Sequence, residues 1–232
     1  MINSLNKLNE MTEATVPTDK HCHRLDVRQL GTVPYDEAMR LQKQLVEERA
    51  AGEIGDTLLL LEHPPTYTVG LRGDDTNFLV PGPVLESKGA VIRRVERGGD
   101  VTFHGPGQLV GYPIIDVPVA CGDINGYVFW LEQVLIETLA AFGVAAGRLS
   151  GFRGVWVDDK KIAAIGVRVN SHGISSHGFA VNVNTDLSFF DAIVACGLHG
   201  KSVTSLAKAL NQPVDMNPVI ECLAETFARV FK

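Results

Sequence analysis

A chain of 232 residues, 45% hydrophobic and 21% charged, can form one substantial core and has globular composition, which excludes an intrinsically disordered protein. Its formal net charge of -6 argues against a general nucleic-acid binder. The four cysteines, Cys22, Cys121, Cys196 and Cys222, contain no C-x-x-C pair, which argues against a structural zinc site or a disulfide framework and fits a reducing compartment.

Residues 1–23 read as a flexible polar tail in which translation could also begin at Met11; residues 24–232 read as one domain. The tail lacks the apolar stretch of a signal peptide, and no apolar run approaches the roughly 18 residues that a membrane span needs. Residues 25–30 alternate as a strand. Pro34 then suits the first turn of a helix, whose stripe is Ala38, Leu41, Leu45 and Val46 and whose end is Gly52. The apolar run 57–61 predicts a buried strand, and extended structure resumes at 66–70 after His63-Pro64-Pro65. Residues 72–89 look like loop, with Cys121 in a later loop. Strands are expected at 91–96, 108–117, 154–157, 161–169 and 178–183. Asp123 is a candidate N-cap for a helix to Phe142 buried through Val128, Leu131, Leu135, Ile136 and Leu139. Residues 218–230 read as a closing amphipathic helix. Strand pairs with separated helices predict an α/β (α+β) domain with a mixed sheet rather than a regular βαβ repeat.

Three stretches carry residues capable of chemistry. The first, residues 97–108, contains four glycines that let backbone approach a ligand closely; a pair of tight turns explains them equally well. In the second, Lys160 and Lys161 open an apolar strand, and strand alternation lets only one of them face a pocket. The bland reading is a solvated strand end. In the third, Cys196 sits between Ala195 and Gly197, either as an inert buried thiol or as a nucleophile on a turn whose backbone N–H groups face an oxyanion. His104 and His177 flank glycines and could each partner Cys196.

Taken together, these stretches resemble the lipoyl(octanoyl) transferase family, also called the lipoate-protein ligase B family. The matching text is EHPPTYTVG at 62–70, RGGDVTFHGPGQLVGYPI at 97–114, GVWVDDKKIAAIGVRV at 154–169, SHGFAVNVNTDL at 176–187, ACG at 195–197 and VTSL at 203–206. Ala195 stands where proline is common in that family.

The resemblance implies an α/β catalytic domain similar to those of lipoate and biotin protein ligases. It implies that Cys196 is the acyl-thioester nucleophile and Lys161 its partner. The substrate contacts it implies are Arg97, Gly98, Gly99, Asp100, Val101, Thr102, Phe103 and His104, then Ala164, Ile165 and Gly166, then Gly178, Phe179 and Ala180. The implied reaction moves an octanoyl group from acyl carrier protein, where a phosphopantetheine arm holds it, to a lysine of lipoyl domains. The acceptors would be 2-oxoacid dehydrogenase E2 subunits and the glycine cleavage H protein, in the first step of endogenous lipoate biosynthesis. It implies a cytoplasmic enzyme, expected to be a monomer, that needs no ATP and no metal and binds neither nucleic acid nor membrane.

An ammonium beside a thiol favours the thiolate, so Lys161 would activate Cys196 and later accept a proton from the acceptor amine. Val101, Phe103, Ile165, Val167 and Phe179 are candidate walls of an acyl tunnel. Burying eight carbons at about 0.8 kcal/mol per CH₂ would contribute several kcal/mol. The carrier is acidic, so a local basic rim is expected, with Arg72, Arg93, Arg94 and Arg153 as candidates. Two other classes of function fit less of the pattern: an ATP-dependent ligase of the same fold, and a non-catalytic lipoyl-binding protein with an inert Cys196. A cysteine hydrolase using His177 is more distant.

Overall fold

The computed structural model describes residues 25–194 and 201–231. In chain order the elements are β1 (Asp26–Thr32), α1 (Tyr35–Ala50), β2 (Thr57–Glu62), β3 (Thr66–Val69), α2 (Gly82–Ser87), β4 (Val91–Arg94), β5 (Val101–His104), β6 (Gln108–Ile114), α3 (Val117–Cys121) and α4 (Ile124–Ala141). They continue with β7 (Gly147–Leu149), β8 (Phe152–Val157), β9 (Lys160–Val169), β10 (Ser175–Asn182), β11 (Ser202–Val203), α5 (Leu206–Leu210) and α6 (Met216–Val230). Short 3-10 turns occupy Asp75–Asn77 and Leu187–Ala192.

Among the described residues the strands form two sheets. The larger has the order β1-β2-β6-β10-β9-β8-β7, with β11 added in parallel to the start of β9; the smaller has the order β4-β3-β5. In the larger sheet β1 runs parallel to β2, whereas the pairings from β2 through β7 are antiparallel. The sheet is therefore mixed, as expected.

Each face of the large sheet is covered because each strand has two apolar sides. Leu58 and Leu60 of β2 enter the core beneath α4 and α6, whereas Leu59 and Leu61 enter the core beneath α1. That alternation is why the β2 segment reads as one continuous apolar run. The α1 stripe forms as expected, with Ala38 and Leu45 buried and Leu41 and Val46 partly so. The Asp123 side chain caps α4, accepting from Gly126 N at 2.7 Å.

Several boundaries differ from the sequence reading. The stretch expected as loop contains the turn Asp75–Asn77 and α2. The strand expected to reach Val117 ends at Ile114, because Asp116 accepts from Val119 N and starts α3 instead. Cys121 is thus the last residue of a short helix rather than part of a loop. Asp215 accepts from Asn217 N and starts α6 at Met216, two residues before Pro218.

Candidate active site

A narrow cleft of about 40 Å³ is lined, among the described residues, by Tyr35, Arg97, Gly99, Thr102, His104, Tyr112, Ala164, Ile165, Gly166, His177, Gly178, Phe179 and Ala180. It draws on both sheets and on the first residue of α1. Part of its lining is made of small residues facing one another on β9 and β10: Ala164 pairs with Ala180, and Gly166 with Gly178. Directly opposed residues of an antiparallel pair share a face, so these two pairs form one smooth strip.

The missing side chain of Gly166 admits the loop above it. A Cβ there would lie 2.8 Å from the Gly98 carbonyl oxygen and 3.1 Å from Arg97 Cδ. That loop is pinned to β9 by Gly98 N donating to Val167 O at 3.0 Å, and Gly99 turns with φ +94°. Arg97 is buried and donates from Nη2 to Thr68 O at 2.7 Å, to Thr68 Oγ1 at 2.8 Å and to Asp100 O at 2.7 Å. Its guanidinium therefore braces the Gly-Gly turn against β3 from within.

From Arg97 a chain of buried hydrogen bonds runs across both sheets. Thr68 Oγ1 lies 3.3 Å from His104 Nε2, and His104 Nδ1 lies 2.8 Å from Gln108 Oε1. Gln108 Nε2 donates to Asn182 Oδ1 at 2.9 Å, and Asn182 Nδ2 donates to Thr204 O at 3.0 Å. Thr204 N then donates to Lys161 O at 2.9 Å. Gln108 Oε1 can only accept, so His104 carries its proton on Nδ1 and accepts at Nε2 from the Thr68 hydroxyl. Buried groups in a dry interior need such satisfied partners.

His104 and His177 line the cleft, and His63 packs against His104 behind it. Burial pushes His63 down to about 4, His177 to about 4 and His104 to about 3; His63 and Arg97 add to the effect at His104, and Arg97 and Arg168 at His177. Burial likewise pushes the Tyr35 phenol up to about 12, a rise that Arg97 partly opposes. His177 has a buried Nδ1 with no hydrogen-bond partner and a positive φ of 55°, a left-handed conformation that few non-glycine residues adopt and in which histidine is among the enriched ones.

Lys161 is 9% exposed and Lys160 is exposed, as alternation requires. The register adds what alternation alone does not give. Val155 pairs with Ala163 and Trp156 with Lys161, so a bulge places Ile162 between them. Val155 and Ala163 belong to the core beneath α4 and α6. Trp156 and Lys161 lie one step past the bulge and turn the other way. The Lys161 ammonium sits 4.9 Å from the centre of the Trp156 ring. Gly154 lets β8 approach the β9 backbone there, since a Cβ would lie 2.5 Å from Ala163 O, while it would meet Lys161 Cε in ordinary contact at 3.5 Å.

Ten residues expected from the sequence line the cleft: Arg97, Gly99, Thr102, His104, Ala164, Ile165, Gly166, Gly178, Phe179 and Ala180. Gly98, Asp100, Val101 and Phe103 do not. Gly98 contributes the backbone bond just described. The Asp100 carboxylate accepts from Asn77 Nδ2 at 2.9 and 2.8 Å and from its neighbour Val101 N at 2.6 Å, which holds the turn. Val101 and Phe103 point into a separate core against the small sheet, where the Phe103 ring stacks on Phe189 at 4.5 Å.

Val167 and Phe179 both belong to the core beneath α4 and α6 and Ile165 packs against it, but of the candidate tunnel walls Ile165 and Phe179 line the cleft. Among the expected rim arginines, Arg93 and Arg94 border a groove beside the cleft. Arg153 instead donates to Asn125 Oδ1 at 2.9 Å, and Arg72 is exposed without lining either hollow. Cys196 lies outside the described residues. Of the other thiols, Cys121 is pushed up to about 11 by burial and by Asp56, and Cys222 is half-buried on α6.

Sequence reasoning missed Tyr35 and Tyr112 in the lining and Thr68, Gln108 and Asn182 in the buried chain. It weighed His177 as a partner for Cys196 and not as part of the cleft wall. A signal was present for two of the three network residues, since Gln108 opens and Asn182 ends an otherwise apolar run.

Among the described residues no group of three or more His, Cys, Asp or Glu could hold a metal ion, and no helix is long and apolar enough to cross a membrane.

The fold is shared with lipoate and biotin protein ligases. The crystal structure of lipoate-protein ligase A bound with ATP matches with a TM-score of 0.66 at 16% identity, over 89% of this chain and 84% of that one. The biotin protein ligase from Aquifex aeolicus matches with a TM-score of 0.52 at 12% identity, over 89% of this chain and 68% of that one. At the level of sequence, the model of the lipoyl protein ligase A/B catalytic domain matches residues 34–228. The octanoyltransferase of Rubrobacter xylanophilus is 50% identical over 208 residues, covering 89% of this chain and 93% of that protein. The chain belongs to the lipoyl protein ligase A/B catalytic domain family, and it is an enzyme of the acyltransferase class.

Proposed function

We propose that the protein transfers an octanoyl group from acyl carrier protein to a lysine of lipoyl domains, through a thioester on Cys196. One observation supports this reading most. The buried Lys161 is hydrogen-bonded, through its strand, to β11, and β11 begins six residues after Cys196.

The chemistry follows from the residue types. Lys161, as an ammonium, favours the Cys196 thiolate. The thiolate attacks the octanoyl thioester carbonyl, the bond from that carbon to the carrier's sulfur breaks, and the leaving thiolate takes its proton from Lys161, which becomes a neutral amine. The acceptor amine then attacks the acyl-enzyme, Lys161 takes its proton, and the Cys196 thiolate leaves. The first exchange trades one thioester for another; amide formation drives the second, so ATP has no step to power. The octanoyl chain is placed along the small-residue strip of β9 and β10, where seating it parts the narrow cleft.

Incubating the protein with octanoyl carrier protein and no ATP should add the mass of one octanoyl group, labile to hydroxylamine and located on Cys196. An adduct on Cys121 or Cys222, or a requirement for ATP, would sink this reading.

A further inference from the structure

Beside the cleft lies a much larger groove of about 730 Å³, lined by α1, β4 and the β9–β10 turn. Tyr35 and His177 border both hollows, so the groove adjoins the cleft at those two residues. Five cations face it, Arg40, Lys43, Arg93, Arg94 and Arg168, against three carboxylates, Asp36, Glu47 and Glu96. Three of the cations are committed: Arg93 to Asp36 at 2.8 Å, Arg94 to Asp75 at 2.6 Å, and Arg168 to Glu96. Arg40 and Lys43 form no ion pair with a described residue, although Arg40 lies close enough to Asp36 to help lower that carboxyl. Three residues apart on α1, they project from the same face of the helix. A basic groove on a chain of net charge -6 is a local exception that an anionic ligand would recognise.

The second observation is at His177, where the groove adjoins the cleft. The buried Nδ1 of His177 has no hydrogen-bond partner, and a dry polar atom without one is costly. The backbone that presents it is held by Gln42 of α1, whose Oε1 accepts from His177 N at 2.8 Å. An elongated ligand with an anionic end and an amide end would satisfy both places.

We propose that this groove is the binding site for the phosphopantetheine arm of the acyl donor, with Arg40 and Lys43 taking the phosphate and His177 hydrogen-bonding an amide before the thioester enters the cleft. The inference rests on the carrier-borne donor proposed above. It deepens that reading by naming the route of entry.

Calorimetry on the full chain tests it with 4′-phosphopantetheine and with pantetheine, which lacks the phosphate. Wild type should bind 4′-phosphopantetheine at least tenfold tighter than pantetheine. The double variant Arg40→Glu, Lys43→Glu should abolish that difference and leave pantetheine binding unchanged. His177→Ala should weaken both ligands alike. Equal binding of the two ligands by wild type, or an advantage of the phosphate that survives in the double variant, overturns the site. So does tight binding of inorganic phosphate with no gain from the arm. Acylation of Cys196 by octanoyl-N-acetylcysteamine, which carries no phosphate, should be unchanged in the double variant. Its failure in wild type would instead count against the transfer reaction itself, which separates the two claims.

Discussion

Lys161 stands opposite Trp156 across the β8–β9 bulge, its ammonium 4.9 Å from the centre of the indole ring. A cation over an aromatic face is attracted to it by about 0.5–2 kcal/mol. Lys160, one residue earlier, is exposed and pairs with Val157 and Ser202. Lys161→Ala should therefore slow Cys196 alkylation by iodoacetamide at neutral pH and move the rate–pH curve toward the free-thiol range near 8.5. Lys161→Arg should keep much of the thiolate but fail at transfer to the acceptor amine, because arginine does not act as a base. Lys160→Ala should change neither rate by more than about twofold, since it removes only an exposed charge. Damage from Lys160→Ala combined with a mild Lys161→Ala would reverse the assignment.

The strip of Ala164, Gly166, Gly178 and Ala180 should set how much acyl chain the cleft accepts. Ala164→Leu adds volume to the strip, so activity with octanoyl donors should fall at least tenfold while donors of four carbons retain most of theirs. Phe103→Ala is the contrasting variant. Its ring stacks on Phe189 and meets Phe190 in the separate core, so it should lose about 3–5 kcal/mol of stability with chain-length preference unchanged. A change of preference in Phe103→Ala and none in Ala164→Leu would place the acyl chain elsewhere.

Gly166→Ala probes the meeting of the Arg97 loop with β9. The added methyl would approach the Gly98 carbonyl at 2.8 Å, a backbone atom that cannot swing aside. The loop must lift, breaking the bond from Gly98 N to Val167 O. Melting temperature should fall by several degrees and KM for the acyl donor should rise at least tenfold. An unaffected KM would show that the loop does not border the bound chain.

Acid should unfold the protein through its buried histidines. His63, His104 and His177 have native values near 4, 3 and 4, below the 6.5 of an unfolded histidine. Between those values the unfolded state binds more protons, so stability is complete above pH 6.5 and declines as pH falls toward 4. Each histidine contributes on the order of 3 kcal/mol to that decline. His63 bonds Val33 O through Nδ1 and Tyr112 Oη through Nε2, both at 2.7 Å. His63→Gln should lower stability at pH 7 yet make its pH dependence shallower by about one proton in urea titrations. An unchanged slope would mean that His63 is already protonated in the native state.

Much of this protein is set locally. The apolar periodicity of α1, the capping aspartate of α4 and the unbroken leucines of β2 are properties of consecutive residues, and they fix helices and strands wherever the chain goes. The glycines of the 97–108 stretch likewise marked the cleft and the lysine pair at 160–161 marked a buried cation on β9, because turn chemistry and strand parity act over a few residues. Which side of β9 the lysine faces was decided only by the bulge opposite Val155 and Trp156, a mismatch between two strands that neither strand shows alone. Phe103 and Phe179 look alike in sequence, yet one packs under the small sheet and the other reaches the cleft, because the two sheets impose different neighbours. The relay from Arg97 to Lys161 passes through Thr68, His104, Gln108, Asn182 and Thr204. Its members come together only when strands distant in sequence pair, since a buried polar side chain is satisfied by whatever the fold brings within reach and not by its neighbours along the chain.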